Sequence, residues 1–235
     1  MTFVQLIDCR TGRLEEMNRL IDQWVEQTGG KRTATHAVLG TDRSDRSHVV
    51  EIVEFPSYEE AMRNSDLPET GEIFRGMLAL CDEPPTFTDL DVVRDEPLEA
   101  AAVRRFFDTI SVQGPLPPLN GLLAENYHHH DPGNERDTLG LDNMRREIEM
   151  WRGGFDFTFS IEDQLTQGDR VCTRWTWNGI QKGEFLGLPN TGRKVSMTGT
   201  TVFRFDPTGR IHEGWWQYDR LGLMEQLGAL DALEN

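Results

Sequence analysis

The segment from Pro189 to Gly228 constrains the fold of this 235-residue chain more than any other part of it. It contains two runs rich in β-branched and aromatic residues, VSMTGTTVFRF and RIHEGWWQYD. The sequence Asp-Pro-Thr-Gly between them is typical of a tight turn. The short apolar run LGLMEQLG follows. The segment therefore predicts two strands joined by a tight turn, and then a short closing helix.

One carboxylate in this segment is a candidate for chemistry. Asp219 ends the second run, and the alternation of side chains along a strand places it on one face with Gln217 and Trp215. Burial at the end of an aromatic strand can raise the pKa of a carboxyl group until it serves as a general base. The alternative is that Asp219 caps the helix that follows. Both interpretations stay open at this point.

The runs GEFLGLPNTGRKVSMTGTTVFRF and GRIHEGWWQYDRLGLMEQLG resemble the SnoaL-like polyketide (ester) cyclases, a family with the NTF2-like cone fold. The resemblance covers the chain from about Pro97 onward. It implies that Asp219, the last residue of a Glu-x-Trp-x-x-x-Asp segment, is the catalytic acid/base. The residues that share the family's spacing are Pro189, Thr191, Gly192, Arg193, Gly209, Arg210, Ile211, Glu213, Gly214, Trp215, Asp219, Gln226, Leu227 and Gly228.

The segment NYHHHDP resembles the family's Asp-Tyr-x-x-His-x-Pro stretch, with Asn126 in place of the family's acidic residue. The resemblance implies that Tyr127 and His130 face the pocket. Three consecutive histidines also suggest a metal site, but adjacent side chains point in different directions and cannot all converge on one ion. No second cluster supplies further ligands, so we expect no metal.

Three other stretches of this half predict helices by the spacing of their apolar residues: LEAAAVRRFFDTISV, LNGLLAENY and LGLDNMRREIEMWRGGF. Trp151 of the third is a core residue or a wall of the ligand pocket. The strands DFTFSIEDQLTQ and RVCTRWTWNGIQ follow. Arg174 lies on one face of the second strand, and Trp175 lies on the other. The spacing does not decide which face is concave, so Arg174 is a candidate ligand contact.

Residues 2–95 read as β-α-β-β-α-β, with a break at Leu67-Pro68 inside the second helical region. This order predicts the ferredoxin-like plan, an antiparallel sheet with helices on one face and an open second face. The half resembles the dimeric α+β barrel group, which includes cofactor-free antibiotic-biosynthesis monooxygenases and haem-handling proteins. We therefore expect a homodimer. Trp24, His36 and His48 could line a cavity, although core packing of the Trp and hydrogen-bonded or solvent-facing histidines are the alternatives.

The stretch RDEPL at residues 94–98 joins the halves, because Pro97 favours a break before the next helix. The expected fold class is thus α+β. A ferredoxin-like domain of the dimeric α+β barrel type spans residues 1–95, and a SnoaL-like domain with the NTF2-like cone spans residues 96–235.

Composition excludes several classes of partner. The net charge of −16 opposes binding to nucleic acid or to an anionic membrane, since both attract a positive surface. The absence of a long apolar span or signal peptide predicts a soluble protein. Cys9, Cys81 and Cys172 lie far apart without metal-ligand spacing, which suits a reducing cytoplasm. The motifs of serine hydrolases, zinc proteases and nucleotide-binding enzymes are missing from the sequence.

Acid/base chemistry in an apolar pocket is the function that remains. The resemblance implies a cofactor-independent intramolecular aldol cyclisation of an aromatic polyketide-like ester, in which Asp219 removes the α-proton and returns a proton to the product. In this hypothesis His130, Tyr127 and Gln217 donate hydrogen bonds or orient the substrate, and Trp215 is a flat wall. Two alternatives stay open: a non-catalytic module that binds small molecules, and a cofactor-free monooxygenase that uses the N-terminal half.

Overall fold

The computed structural model describes residues 2–95 and 97–229. The chain divides into two compact units, Met1–Asp95 and Glu96–Asn235. Each unit combines helices with one sheet, which confirms the predicted α+β class. None of the helices in these two ranges is long and apolar enough to cross a membrane.

Residues 2–95 of the first unit form four strands and three helices. In chain order they are β1 (Phe3–Arg10), α1 (Leu14–Gln27), β2 (His36–Thr41), β3 (His48–Phe55), α2 (Tyr58–Ser65), α3 (Pro68–Leu78) and β4 (Thr86–Asp91). The strands form an antiparallel sheet in the order β2-β3-β1-β4. The relation of this unit to the ferredoxin-like, dimeric α+β barrel group stays a prediction.

Local sequence explains the helices of this unit. Ser57 caps α2 by accepting a hydrogen bond from the backbone N–H of Glu60, and α3 begins at Pro68, whose missing N–H costs nothing at a first helical position. The helices cover one face of the sheet, where Met17 of α1 packs with Val49 of β3. The opposite face leaves apolar side chains exposed, among them Val38, Ile52 and Leu90.

Residues 97–229 of the second unit form six strands and three helices. In chain order they are α4 (Leu98–Ser111), β5 (Leu123–His130), β6 (Thr138–Leu139), α5 (Leu141–Gly154), β7 (Phe155–Gln167), β8 (Arg170–Gln181), β9 (Lys194–Phe205), β10 (Ile211–Tyr218) and α6 (Arg220–Gln226). The strand order is β6-β5-β10-β9-β8-β7. Neighbouring strands run antiparallel except β5 and β10, which are parallel.

The core of this unit is aromatic and lies on one face of the sheet. The alternation along β8 buries Trp175 and Trp177 and leaves Arg174 exposed, which settles the face that the spacing left open. Phe106 and Phe107 of α4 pack against the same face. Gly199 of β9 lies opposite Trp175, and a Cβ there would come within 2.4 Å of the indole. The bare backbone of Gly199 therefore makes room for the large ring.

The predicted helix LNGLLAENY is wrong, since residues 119–122 form a loop and a turn. Residues from Leu123 onward form β5, because the segment is paired on both sides, with β10 and with β6. The side chains of Leu123, Tyr127 and His129 are buried, and strand alternation of burial is regular from Tyr127 to His130. Backbone pairing with distant segments has thus overridden the local preference of Leu, Ala and Glu for a helix.

Candidate active site

A cavity of about 60 Å³ lies in the second unit, between the inner face of the sheet and helices α4 and α5. Most of its wall is aromatic or aliphatic. Its aromatic lining residues are Trp151, Phe157, Phe159, Trp175, Trp177, Trp216 and Tyr218. Such a wall suits a flat apolar molecule, because ring faces and edges pack against each other at little cost in side-chain entropy.

Four polar side chains, His129, Asp131, Glu147 and Tyr218, line the same cavity. His129 is only 3% exposed, and its Nε2 lies 3.4 Å from Glu147 Oε1 and 3.9 Å from Asp131 Oδ2. The hydroxyl of Tyr218 donates to Asp131 Oδ2 over 2.8 Å. An imidazole thus lies between two carboxylates in a largely apolar enclosure.

Each carboxylate of this cluster also receives hydrogen bonds from outside it. The backbone N–H of Gly133 donates to Asp131 Oδ1 over 2.7 Å. The side chains of Asn134 and Thr138 donate to Glu147. These donors stabilise the ionised carboxylates and hold them in place beside the imidazole.

The pKa values in the cluster follow from this arrangement. Burial lowers the pKa of His129, but Asp131 and Glu147 raise it by more, to about 9. Burial raises the pKa of Asp131 and of Glu147, yet His129 and the hydrogen-bond donors around each carboxylate lower it below its ordinary value. Burial and the adjacent Asp131 raise the pKa of the Tyr218 hydroxyl. At neutral pH the cluster is therefore an imidazolium with two carboxylates.

Two buried nitrogens at this cavity form no hydrogen bond of good geometry among the described residues: Nε1 of Trp216, and Nε2 of His129, which Glu147 and Asp131 hold by charge at 3.4 and 3.9 Å. Their rings are neighbours, with centroids 5.8 Å apart. A buried donor without a partner costs about 1–3 kcal/mol. A ligand oxygen that accepts from one or both would remove that cost, so the cavity favours a ligand with a carbonyl or similar acceptor.

Two of the residues expected at the site are at or beside the cavity. Trp151 of α5 lines it. Tyr127 is fully buried behind the cluster, and its hydroxyl lies 3.5 Å from Nδ1 of His129. Gly214 faces Tyr127 from β10, and a Cβ at that position would lie 2.3 Å from the tyrosine oxygen. Glycine at 214 therefore permits this contact between Tyr127 and the sheet.

Four other residues that were expected in the pocket lie instead on the outer face of the sheet, so the prediction is wrong for them. They are His130, Trp215, Gln217 and Arg174. His130 Nε2 is 3.0 Å from Glu213 Oε1, and its ring stacks on that of Trp215 with centroids 5.2 Å apart. Gln217 is exposed, and Arg174 pairs with Asp163. The cause is strand alternation, since the inward residues of β10 are Gly214, Trp216 and Tyr218.

Asp219 is also outside the cavity. Its side chain is exposed, and Oδ1 accepts a hydrogen bond from the backbone N–H of Gly222 over 2.8 Å, which caps α6. The prediction that the Asp219 carboxylate is buried is therefore wrong. The reason is that the chain leaves the sheet after Tyr218, so the next side chain meets the first turn of a helix and solvent. A catalytic role for Asp219 stays a prediction.

Sequence reasoning missed His129, Asp131, Glu147, Trp216 and Tyr218. Four of them directly adjoin residues that it chose, because each choice of face was displaced by one residue. The adjacent tryptophans at 215 and 216 contained a usable signal, since a strand with one buried face places one of the two inside. Glu147 lies on α5 one turn before Trp151, which lines the same cavity.

Two groups of side chains bring three possible metal-ligand atoms within 4.8 Å of one another: His128, His130 and Glu213, and also His129, Asp131 and Glu147. In the first group His130 contacts both Glu213 and Asp137, and in the second the imidazole lies beside both carboxylates. Charge pairing within the protein accounts for both clusters. We assign a metal to neither.

The fold and the cavity define a class: an α+β domain whose curved sheet and helices enclose an aromatic pocket with an acid/base cluster. The chain matches the SnoaL-like polyketide cyclase family over residues 101–227, which is more than half of its length, and it belongs to that family. The second unit is therefore a SnoaL-like domain with the NTF2-like fold, as the sequence predicts.

Solved structures agree with this assignment. TsrD from Streptomyces laurentii is 30% identical with a TM-score of 0.50, and the match covers 58% of this chain and 98% of TsrD. A protein assigned as a polyketide cyclase from Acidithiobacillus ferrooxidans is 27% identical with a TM-score of 0.52, covering 58% of this chain and 99% of that one.

A protein assigned as a SnoaL-like polyketide cyclase from Jannaschia sp. CCS1 has a TM-score of 0.53 at 22% identity, and the match covers 60% of this chain and 98% of that one. At that identity the likeness concerns the fold alone. A search of the curated proteins finds no match for this chain.

Proposed function

We propose that this chain is a cofactor-independent cyclase that closes a ring in a polyketide-like ester by an intramolecular aldol reaction in the cavity of the second unit. Membership of the SnoaL-like family supports this proposal. The observation that carries it is that the buried N–H groups of His129 and Trp216, neither of which forms a hydrogen bond of good geometry, line one cavity with the carboxylate of Asp131. A base next to fixed donors is what proton abstraction beside a carbonyl requires.

In the proposed reaction, Asp131 takes a proton from the carbon next to a substrate carbonyl. The charge that develops on the carbonyl oxygen is stabilised by hydrogen bonds from His129 Nε2 and Trp216 Nε1. The enolate carbon then attacks a second carbonyl of the same molecule, and the new alkoxide takes back the proton. The product is an isomer of the substrate, so the step consumes no oxidant and no second reactant.

The walls of the cavity support a flat apolar substrate, since Trp151, Trp175 and Trp177 line it. A molecule of several rings needs more than the cavity's 60 Å³. The proposal therefore requires that the cavity widen on binding, by movement of α5 or of side chains. Tyr218 and Tyr127 act as positioning residues, because they contact Asp131 and His129 respectively.

The test compares the two candidate carboxylates. Asp131→Asn and Asp219→Asn are assayed with a panel of aromatic polyketide esters, and ring closure is followed as a product of unchanged mass with a shifted absorbance. We expect Asp131→Asn to lose about 10²–10⁴-fold in kcat, the usual contribution of a general base. Asp219→Asn should stay within a few-fold of wild type. Loss of turnover in the folded Asp219 variant alone would instead support the family's acid/base at that position.

A second candidate is a non-catalytic module that binds small molecules. The observation that favours it is the engagement of Asp219, the acid/base that the family resemblance implies, as the cap of α6. The same panel separates the two functions. A binding module should bind the esters, as measured by calorimetry, with equal affinity in wild type and in the Asp219→Asn variant, and convert none of them.

For the first unit we propose a ferredoxin-like domain of residues 1–95 that pairs with a second copy of the chain. Its antiparallel sheet of order β2-β3-β1-β4 and the exposed apolar side chains of Val38, Ile52 and Leu90 support this proposal. Light scattering at micromolar concentration should give twice the chain mass of 26.9 kDa. The variant Ile52→Glu should shift the mass towards the monomer, and a monomeric wild type would refute the proposal.

A further inference from the structure

The first unit contains a cavity of its own, between its sheet and helices α1 and α3, with a volume of about 370 Å³. Four aromatic rings line it, those of Trp24, Phe55, Phe74 and Phe87. Its size falls in the usual range of small-molecule sites, about 300–1,000 Å³. The residues of the proposed cyclase site play no part in it.

Glu51 carries an acidic side chain on the wall of this cavity. It lies on β3 between Val49 and Val53, on the strand face that the helices cover, and it is 7% exposed. Its carboxyl group has no hydrogen bond and no ion pair with any residue in the ranges that the structure describes. Burial raises the pKa of this carboxyl group. A buried carboxylate without a partner is costly, so its presence needs an explanation.

The other polar side chains of the lining are engaged within the unit. Nε1 of Trp24 donates to Thr70 Oγ1 over 3.0 Å. Asn64 accepts a hydrogen bond from the backbone N–H of Thr33, and the amide of Gln5 donates to Asp89. These groups have hydrogen-bond partners within the unit, whereas no described residue forms a hydrogen bond with the Glu51 carboxyl group.

The group that would balance the charge of the Glu51 carboxylate is a cation. The lining contains no lysine and no arginine among the described residues, so the cavity wall offers no counter-charge, and a bound cation would supply one. Aromatic faces around a carboxylate form the usual environment for an ammonium group, since both attract positive charge at a site shielded from water. The net charge of −16 also draws cations towards the protein.

We propose that the cavity of the first unit is a binding site for a small apolar or aromatic molecule that carries one protonated amine, with the ammonium group paired to Glu51. The apolar part of the ligand packs against Trp24, Phe74 and Phe87. This assignment does not depend on the proposed cyclase activity, because it concerns a different unit and different residues.

The test is isothermal titration calorimetry on the full chain with matched probes. Tryptamine supplies an aromatic ring and an ammonium group, and tryptophol replaces that group by a neutral hydroxyl. We expect tryptamine to bind wild type at least tenfold more tightly than tryptophol. In Glu51→Gln the affinity for tryptamine should fall at least tenfold, and the preference between the probes should vanish. Glu54→Gln changes a neighbouring glutamate that lies on the opposite face of β3, and it should bind both probes as wild type does.

A second variant keeps the proposal testable if Glu51→Gln fails to fold. Gly71 of α3 lines the cavity, and a Cβ there would meet no atom within 4 Å. Gly71→Leu should therefore fold, fill part of the cavity and weaken both probes at least tenfold. Equal affinities of wild type for tryptamine and tryptophol would overturn the proposal. So would undetectable binding of tryptamine to wild type, or tryptamine binding that neither variant weakens.

Discussion

Two cavities of this chain, one in each unit, hold buried charge in opposite ways. In the second unit, His129 lies between Asp131 and Glu147, so the positive and negative groups stabilise one another. In the first unit, the carboxyl group of Glu51 has no such partner among the described residues. The difference shows that a buried charge can stabilise a fold or oppose it. The sign depends on whether the fold itself supplies the counter-charge.

The largest expected loss of stability comes from removing His129, the positive charge between Asp131 and Glu147. His129→Gln leaves Asp131 and Glu147 buried beside each other without a counter-charge, which should cost about 3–5 kcal/mol of unfolding free energy. Urea denaturation at pH 7 measures it. His130→Gln is the matched control, since that histidine lies on the outer face and its pairs are worth about 0–1 kcal/mol. Equal losses in both variants would contradict the distinction between the inner and outer histidines.

The stability of the protein should change with pH because of the same cluster. The pKa of His129 is raised from 6.5 to about 9 in the folded state. Its contribution is therefore fully present below about pH 6.5 and is lost as the pH rises to about 9. The change is about 3 kcal/mol, because one pKa unit corresponds to about 1.4 kcal/mol.

Melting curves of wild type and His129→Gln at pH 6, 7.5 and 9.5 test this expectation. The stability difference between the two proteins should shrink steadily as the pH rises. A difference that does not change with pH would show that His129 stays in one protonation state throughout.

For Glu51 the expected sign is reversed. Because burial raises the pKa of this carboxyl group, its ionised form opposes folding above the unfolded pKa of about 4.3. Glu51→Gln should therefore raise stability at pH 7 by about 1–3 kcal/mol, the range for relief of an unsatisfied buried group. Melting temperatures at pH 7 and pH 4 measure it, and the gain should disappear at the lower pH. A destabilised Glu51→Gln protein at pH 7 would indicate a stabilising partner for the carboxylate.

The smallest expected effect is at Asp219. Asn is itself a competent cap, so Asp219→Asn should lose only the interaction of the charge with the helix dipole, about 0.3–1 kcal/mol. Thermal melting at pH 7 measures the loss, with Glu135→Gln in an exposed loop as a control for removal of one charge. An increase in stability would contradict the capping role, because it would mean that the carboxylate is held unfavourably.

Much of the second unit could be predicted from the sequence. Strands β9 and β10, the turn between them, and helices α4, α5 and α6 follow from local patterns, and the family followed from the spacing of residues between Pro189 and Gly228. The segment around Tyr127 could not be predicted in this way. Its strand exists because β10, more than 80 residues later, pairs with it in parallel.

Most residues predicted for the site lie outside the cavity, although several adjoin residues that line it. Side chains alternate between the two faces of a strand. The predicted residues Trp215, Gln217 and Asp219 belong to the outer face. The same displacement of one residue selected His130 in place of His129. In the first unit, the pattern HVVEIVEF shows an acidic residue among apolar ones, but local sequence does not tell whether Glu51 has a partner across the cavity.

The sequence by itself determined most elements of the second unit, β5 and β6 excepted, together with the family, because these depend on residues close together in the chain. The tertiary structure alone decided which side chains are buried together. Burial depends on which helix covers which face of a sheet, and that is set by contacts between segments far apart in sequence. His129 and Trp216 therefore share a cavity, while their neighbours His130 and Trp215 stack on the outer face.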